Sequence, residues 1–189
     1  MPIFNSMIAN PKEKIFESQE NGEHVYFLLR RHPITNLGWL IVSVLMAIFP
    51  IIAVYFLDTT FPTLERFVSM KSQTILIILW YTLTLFFTFE SFLKWYFNVY
   101  ILTDKRVIDV DFSGFWHKRI SEASLDNVED ASYETNKFLH IVFDYGDIFM
   151  QTAAERREFE FHAIPKPSIV HDKLTDLVQL YKQKVQNAN

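Results

Sequence analysis

The chain has 189 residues, a formal net charge of -4, 19 Phe and no cysteine. Zero Cys excludes a disulfide scaffold, a Cys-ligated zinc site, an iron–sulfur cluster and a cysteine nucleophile. The 4 Gly exclude collagen-like, Gly/Ser-linker and most nucleotide-loop designs.

Residues 1–36 read as an N-terminal membrane-proximal segment. Lys12, Glu13, Lys14, Glu17, Glu20 and Glu23 interrupt it, so no cleavable signal peptide is expected. The acidic stretch Glu17 to Glu23 reads as a loop. Leu37 to Leu57 is then a run of 21 residues without a charge, broken only by Gly38, Ser43 and Pro50. As a helix it is about 32 Å long, the thickness of a bilayer's hydrocarbon core. Pro50 predicts a kink, with a freed carbonyl that the partner helix can satisfy. Ser72 to Phe89 is a second uncharged run of 18 residues, about 27 Å as a helix. Its Thr74, Thr82, Thr84 and Thr88 can bond back to the helix backbone. Neither run has a polar face, so a transmembrane hairpin over 37–95 is predicted rather than a soluble core.

Arg30, Arg31, Trp39, Lys94, Trp95 and Tyr96 flank the spans as expected membrane-interface anchors, aromatic rings and cations suited to the headgroup layer. Four cations precede the first span (Lys12, Lys14, Arg30, Arg31) and three follow the second (Lys94, Lys105, Arg106), against Arg66 and Lys71 between them. The excess puts both termini in the cytoplasm and the Asp58–Lys71 loop outside.

After Trp95 the period changes. Strands are predicted over Tyr96–Thr103, Arg106–Phe112, Phe115–Ile120, Val128–Thr135, Ile141–Tyr145, Asp147–Thr152 and Glu158–Ile164, with Ser113-Gly114 as a turn. In the last strand Phe159, Phe161 and Ala163 share one face, and Glu158, Glu160 and His162 the other. After Pro167, Val170, Leu174, Leu177, Val178, Tyr181 and Val185 recur at helical spacing, with Asp172, Lys173, Asp176, Lys182 and Lys184 opposite. Residues 96–189 therefore read as roughly seven short strands closed by one amphipathic helix, an antiparallel barrel or sandwich, joined to the second span without a slack linker.

Four segments resemble the bacterial pleckstrin-homology-like (PH-like) membrane protein family. Glu23-His24-Val25-Tyr26-Phe27-Leu28-Leu29-Arg30-Arg31-His32-Pro33 is similar to its lead-in to a two-helix hairpin. Tyr100-Ile101-Leu102-Thr103-Asp104-Lys105-Arg106-Val107-Ile108, the most specific, resembles its first strand junction. Phe143-Asp144-Tyr145-Gly146-Asp147-Ile148 resembles a later strand start, and Ile164-Pro165-Lys166-Pro167 the approach to the closing helix. The resemblance implies a membrane α-helical hairpin plus a mostly-β (α+β) PH-like domain, a seven-strand barrel capped by the C-terminal helix, in the bacterial cell membrane. It implies no ligand. One departure is the charged turn after Thr152, Ala153-Ala154-Glu155-Arg156-Arg157, where the family often has Gly.

Candidate chemistry is sparse. His24, His32, His117, His140, His162 and His171 include no pair at metalloprotease spacing, so no metal, cofactor or catalytic residue is expected. His162 is expected to be exposed. Lys105, Arg106, His117, Lys118 and Arg119 form the candidate ligand-binding cluster, competing with ion pairs from Asp109 and Asp111 to Lys118 or Arg119. Residues 98–189 carry 11 Lys/Arg against 15 Asp/Glu, which argues against nucleic acid and against an electrostatic lipid reader. Glu90 and Lys94 have the spacing of a helical ion pair. The expected function is a non-enzymatic, membrane-anchored interaction or scaffolding module, touching the lipid bilayer and a protein partner or a second copy through the domain or the hairpin. The alternatives are a subunit of an oligomeric transport assembly and an anionic lipid-headgroup sensor.

Overall fold

The computed structural model describes residues 5–11, 16, 19–60, 70–114, 117–135, 138–153 and 158–188, without the side chains of 158 and 184–188. The chain divides into two compact units, residues 1–35 with 94–189, and residues 36–93.

The second unit is helical. α1 (Leu37–Thr60) follows a 3-10 turn at Pro33–Asn36, and α2 is Met70–Phe97. Pro50 has no N–H to give the Met46 carbonyl one turn back. The Trp80 indole gives one instead, at 2.8 Å, and the Tyr81 hydroxyl lies 3.1 Å from the Ala47 carbonyl. The partner helix thus supplies the donor, as the sequence allows. The α2 threonines bond back as predicted, Thr74 to Met70, Thr82 to Ile78, Thr84 to Trp80 and Thr88 to Thr84, at 2.8 to 2.9 Å. The Thr88 hydroxyl also lies 2.9 Å from Ser43 Oγ. The apolar surface itself is uncovered. Only 11% of the most apolar stretch of the first helix and 6% of the second is buried.

The other unit holds two antiparallel sheets. The first has β1 (Met7–Ala9), β2 (Val25–Arg30), β3 (Val99–Thr103), β4 (Arg106–Phe112) and β5 (Lys118–Ser124), in that order. The second has β6 (Val128–Glu134), β7 (Tyr145–Thr152) and β8 (Glu158–Pro165). α3 (Phe138–Val142) lies between β6 and β7, and α4 (Pro167–Ala188) closes the chain. The core is made of Leu29, Leu102 and Val107 from the first sheet, Ile148, Met150 and Phe161 from the second, and Val170, Leu174 and Leu177 from α4. Burial of such side chains, each contributing roughly 1.5–3 kcal/mol, holds the layers together.

Five expectations change. The barrel is not closed: the strands form two sheets, met at one corner by the His32 N–H donating to the Ala163 carbonyl at 2.6 Å. Residues 1–36 are not a separate segment, because β2 pairs with β3 through Arg30↔Val99, Leu29↔Tyr100 and Leu28↔Ile101. Tyr96 and Phe97 end α2 rather than begin a strand, leaving only Asn98 before β3. The predicted strand Ile141–Tyr145 is mostly helix and turn. The one turn of α3 buries His140 alone, and Asp144, at φ 49, redirects the chain into β7. Aromatic and β-branched composition reads as strand, but among the described residues no strand pairs with it. Finally, the alternation of β8 breaks: Phe159, Phe161 and Ile164 are buried, because a bulge at His162-Ala163 (Ala163 φ 50) shifts the register. Residues 115–116 of one predicted strand, 154–157 of the charged turn and 61–69 of the inter-span loop lie outside the described residues.

Candidate functional site

The five residues of the predicted basic cluster do not converge. In the β4–β5 register Arg106 faces Ser124, and Phe112 faces Lys118. Lys105 and Arg106 therefore lie at one end of the hairpin and His117, Lys118 and Arg119 at the other, roughly 20 Å apart.

The first end is occupied by carboxylates. The Arg106 guanidinium grips Glu23 through two bonds of 3.0 Å and reaches Glu122 at 2.7 Å. Lys105 pairs with Glu20 at 2.5 Å. Glu23's side chain is fully buried. Burial pushes its carboxyl up, but the Arg106 hydrogen bond, the Glu20 N–H and Thr103 outweigh that and hold it below the ordinary value. The same hydrogen bond raises Arg106, and Glu20 raises Lys105. The turn beneath is built by Thr103, whose buried hydroxyl oxygen accepts the N–H groups of Lys105 (3.1 Å) and Arg106 (2.9 Å). Asp104 accepts the His24 N–H at 2.9 Å and donates its own to the His24 carbonyl at 3.0 Å. The Thr-Asp-Lys-Arg junction thus ties the N-terminal strand to the β3–β4 turn. Glu20 and Glu23 are the residues that sequence reasoning missed; their acidic spacing carries no register information.

The second feature is the corner where the chain leaves and rejoins this unit. The Trp95 indole, 5% exposed, donates to the Arg31 carbonyl at 2.9 Å. The Arg30 guanidinium is buried 4.5 Å over the Tyr96 ring. Exposed headgroup anchoring was expected of Arg30 and Trp95, but the structure turns both inward, because the last turn of α2 belongs to this unit. Lys94 is exposed, Arg31 and Tyr96 half-buried, and Trp39, in the helical unit, donates to Asn36 Oδ1 at 3.0 Å. At the same corner His32 stacks on Tyr145 at 5.1 Å, and burial lowers its pKa.

On the inner face of the first sheet Tyr100 stacks on Phe161 at 4.5 Å, and its hydroxyl oxygen accepts the His162 N–H at 3.2 Å. Its register partner Asp109 is half-buried. Desolvation first, then Asp111, pushes Asp109 up to about 6, against the pull of Arg31, His162 and Arg119. His162 is exposed as expected, 3.1 Å from Glu160. Lys182, expected to face outward, donates to the Val128 carbonyl at 2.8 Å, and His171 Nε2 lies 3.0 Å from the Ala131 carbonyl.

Among the described residues no group of three His, Asp or Glu could hold a metal. A recess of about 220 Å³ lined by Asp130, Ser132, Phe149, Met150 and Gln151 is smaller than the roughly 300–1,000 Å³ of ligand pockets. What the arrangement offers is surface: among the described residues β5 is an end strand of its sheet, and α3 carries exposed apolar side chains.

The family model of the bacterial PH domain matches residues 32–178. A solved structure of a DUF1696 family protein with a pleckstrin-homology domain, from Shewanella loihica PV-4, is 14% identical, with a TM-score of 0.34, covering 43% of this chain and 70% of that one. No curated protein matches the chain. PH domains are as a class interaction modules for proteins or lipids, and no enzyme family is indicated. With 32–178 matched, the chain belongs to the bacterial PH domain family.

Proposed function

We propose that this protein is a non-enzymatic, membrane-anchored interaction module. α1 and α2 span the bilayer, and the PH-like unit and both termini face the cytoplasm. The observation that carries this is the pair of long helices whose apolar surface is left almost wholly uncovered. A core helix of a soluble protein would be buried, and an exposed apolar surface of this extent demands lipid or protein. The charge excess before and after the hairpin sets the orientation.

The partner-facing element is β5. Side chains of α4 sit on the Val128 and Ala131 carbonyls of β6, whereas β5 ends its sheet with Ile120 53% exposed, at alternate positions from Lys118 and Glu122. A terminal strand with unspent backbone groups accepts an added strand. The lipid-headgroup reading is supported less, since Lys105 and Arg106 are engaged by Glu20, Glu23 and Glu122.

The absence of cysteine makes the test direct. A Thr60→Cys variant in intact cells reacts with an impermeant maleimide, whereas Ser113→Cys reacts only after permeabilisation, and the protein resists alkaline extraction. Labelling of both positions from one side, or release by alkali, overturns the spanning reading. A photo-crosslinker at Ile120 yields a discrete adduct in cells; its absence there removes the β5 interface.

A further inference from the structure

The α3 segment exposes an unusual run of apolar side chains. Phe138 is 78% exposed, Ile141 70% and Val142 57%, with Leu139 and Phe143 also exposed; His140 alone turns inward, 4.4 Å from the Tyr145 ring. A soluble module gains nothing from presenting four such side chains on one turn of helix and a fifth in the turn that follows.

Their place in the fold says what meets them. Tyr145 also carries the stacked His32 ring, and His32 lies 6.4 Å from Phe143. His32 begins the last stretch before the chain leaves this unit, and the Trp95 bond to the Arg31 carbonyl fixes the point of return beside it. The apolar turn therefore adjoins both passages of the chain to and from the helical hairpin. From Thr135 to Phe143 the sequence holds one cation, Lys137, and no acid.

We infer that α3 is an interfacial wedge: Phe138, Ile141, Val142 and Phe143 enter the headgroup and upper acyl region of the bilayer in which the hairpin sits. This rests on the spanning reading of α1 and α2. The wedge would act in the manner of amphipathic segments that bury an apolar face at the interface.

The test uses the full chain in phosphatidylethanolamine–phosphatidylglycerol vesicles, with an environment-sensitive fluorophore on single-cysteine variants. Ile141→Cys reports the wedge, Leu45→Cys the hairpin and Gln151→Cys the aqueous surface. The expected result is a blue-shifted emission at 141 with loss of quenching by an aqueous quencher, shallower than at 45, while 151 stays fully quenched. If 45 is protected but 141 is quenched like 151, the wedge is overturned and the hairpin stands. If 45 is quenched as well, the spanning reading falls and the wedge falls with it. Protection at 141 that vanishes on dilution with lipid means that a second copy covers α3, which also overturns the proposal.

Discussion

The Trp80 indole N–H donates to the Met46 carbonyl at 2.8 Å, the carbonyl that Pro50 leaves without its helical donor. One residue thus repairs the defect another creates, across two helices. Trp80→Phe is expected to destabilise the hairpin by about 1 kcal/mol, the scale of interhelical hydrogen bonds in lipid. Pro50→Ala restores the backbone donor, so the Trp80→Phe loss shrinks in that background. A double-mutant cycle of unfolding in bicelles reads the coupling; two fully additive losses would contradict the repair.

The Glu23–Arg106 pair pins the N-terminal segment to the β3–β4 turn. Glu23→Gln leaves a partly buried guanidinium with a neutral partner, and is expected to cost about 2–4 kcal/mol. Since the folded-state Glu23 pKa is depressed, its contribution is complete above about pH 4.5 and is lost as pH falls through the folded value. Thermal unfolding in detergent across that acid range is therefore less pH-sensitive in Glu23→Gln than in the parent.

Asp109 works in the opposite sense. Its carboxyl is raised from 3.8 to about 6, so the folded state holds its proton more tightly than the unfolded chain does. Stability falls as pH rises from about 4 to 6 and is level beyond. Asp109→Asn is expected to flatten that slope and to stabilise the protein above pH 6 by on the order of 1–3 kcal/mol. An unchanged slope would place the titration elsewhere.

Two backbone positions take opposite substitutions. A Cβ at Gly146 would strike the Glu134 carbonyl oxygen, and would lie 2.9 Å from Thr135 Cγ2 and 3.1 Å from Pro167 Cγ. Gly146→Ala is expected to cost roughly 1–3 kcal/mol by overpacking. Ala163, at φ 50, already has a left-handed backbone, so Ala163→Gly is neutral or stabilising by up to about 1 kcal/mol. Denaturation midpoints of the two variants should move apart in these directions.

The hairpin helices were legible because charge-free length is a local property: Leu37 to Leu57 declares itself without any partner. So were the positions of β4, β6, β7, β8 and α4, although the alternation read in β8 breaks at its bulge. β2 was not. Val25, Leu28 and Leu29 are all buried, on two faces, so the strand is a continuous apolar run without alternation, and next to an apolar helix it passes for part of the approach. The basic cluster failed for a related reason. Assignment to neighbouring strands placed Lys105 near Lys118, but register puts them at opposite ends of a hairpin, and Glu20 and Glu23 come from across the hairpin insertion. α3 was misread because exposed apolar residues look in sequence like buried ones.

The pairing of Arg30 with Val99 joins strands made before and after both long helices. For a chain inserted as proposed, β2 has only β1 to pair with, and its other edge waits on the near side until the hairpin has gone out and come back. A molecule that threaded only one helix would leave β2 and β3 on opposite sides of the bilayer, with no sheet to form. On that reading the sheet closes only in a chain that has threaded both helices, and any other chain keeps the β3-side edge of β2 open to proteolysis.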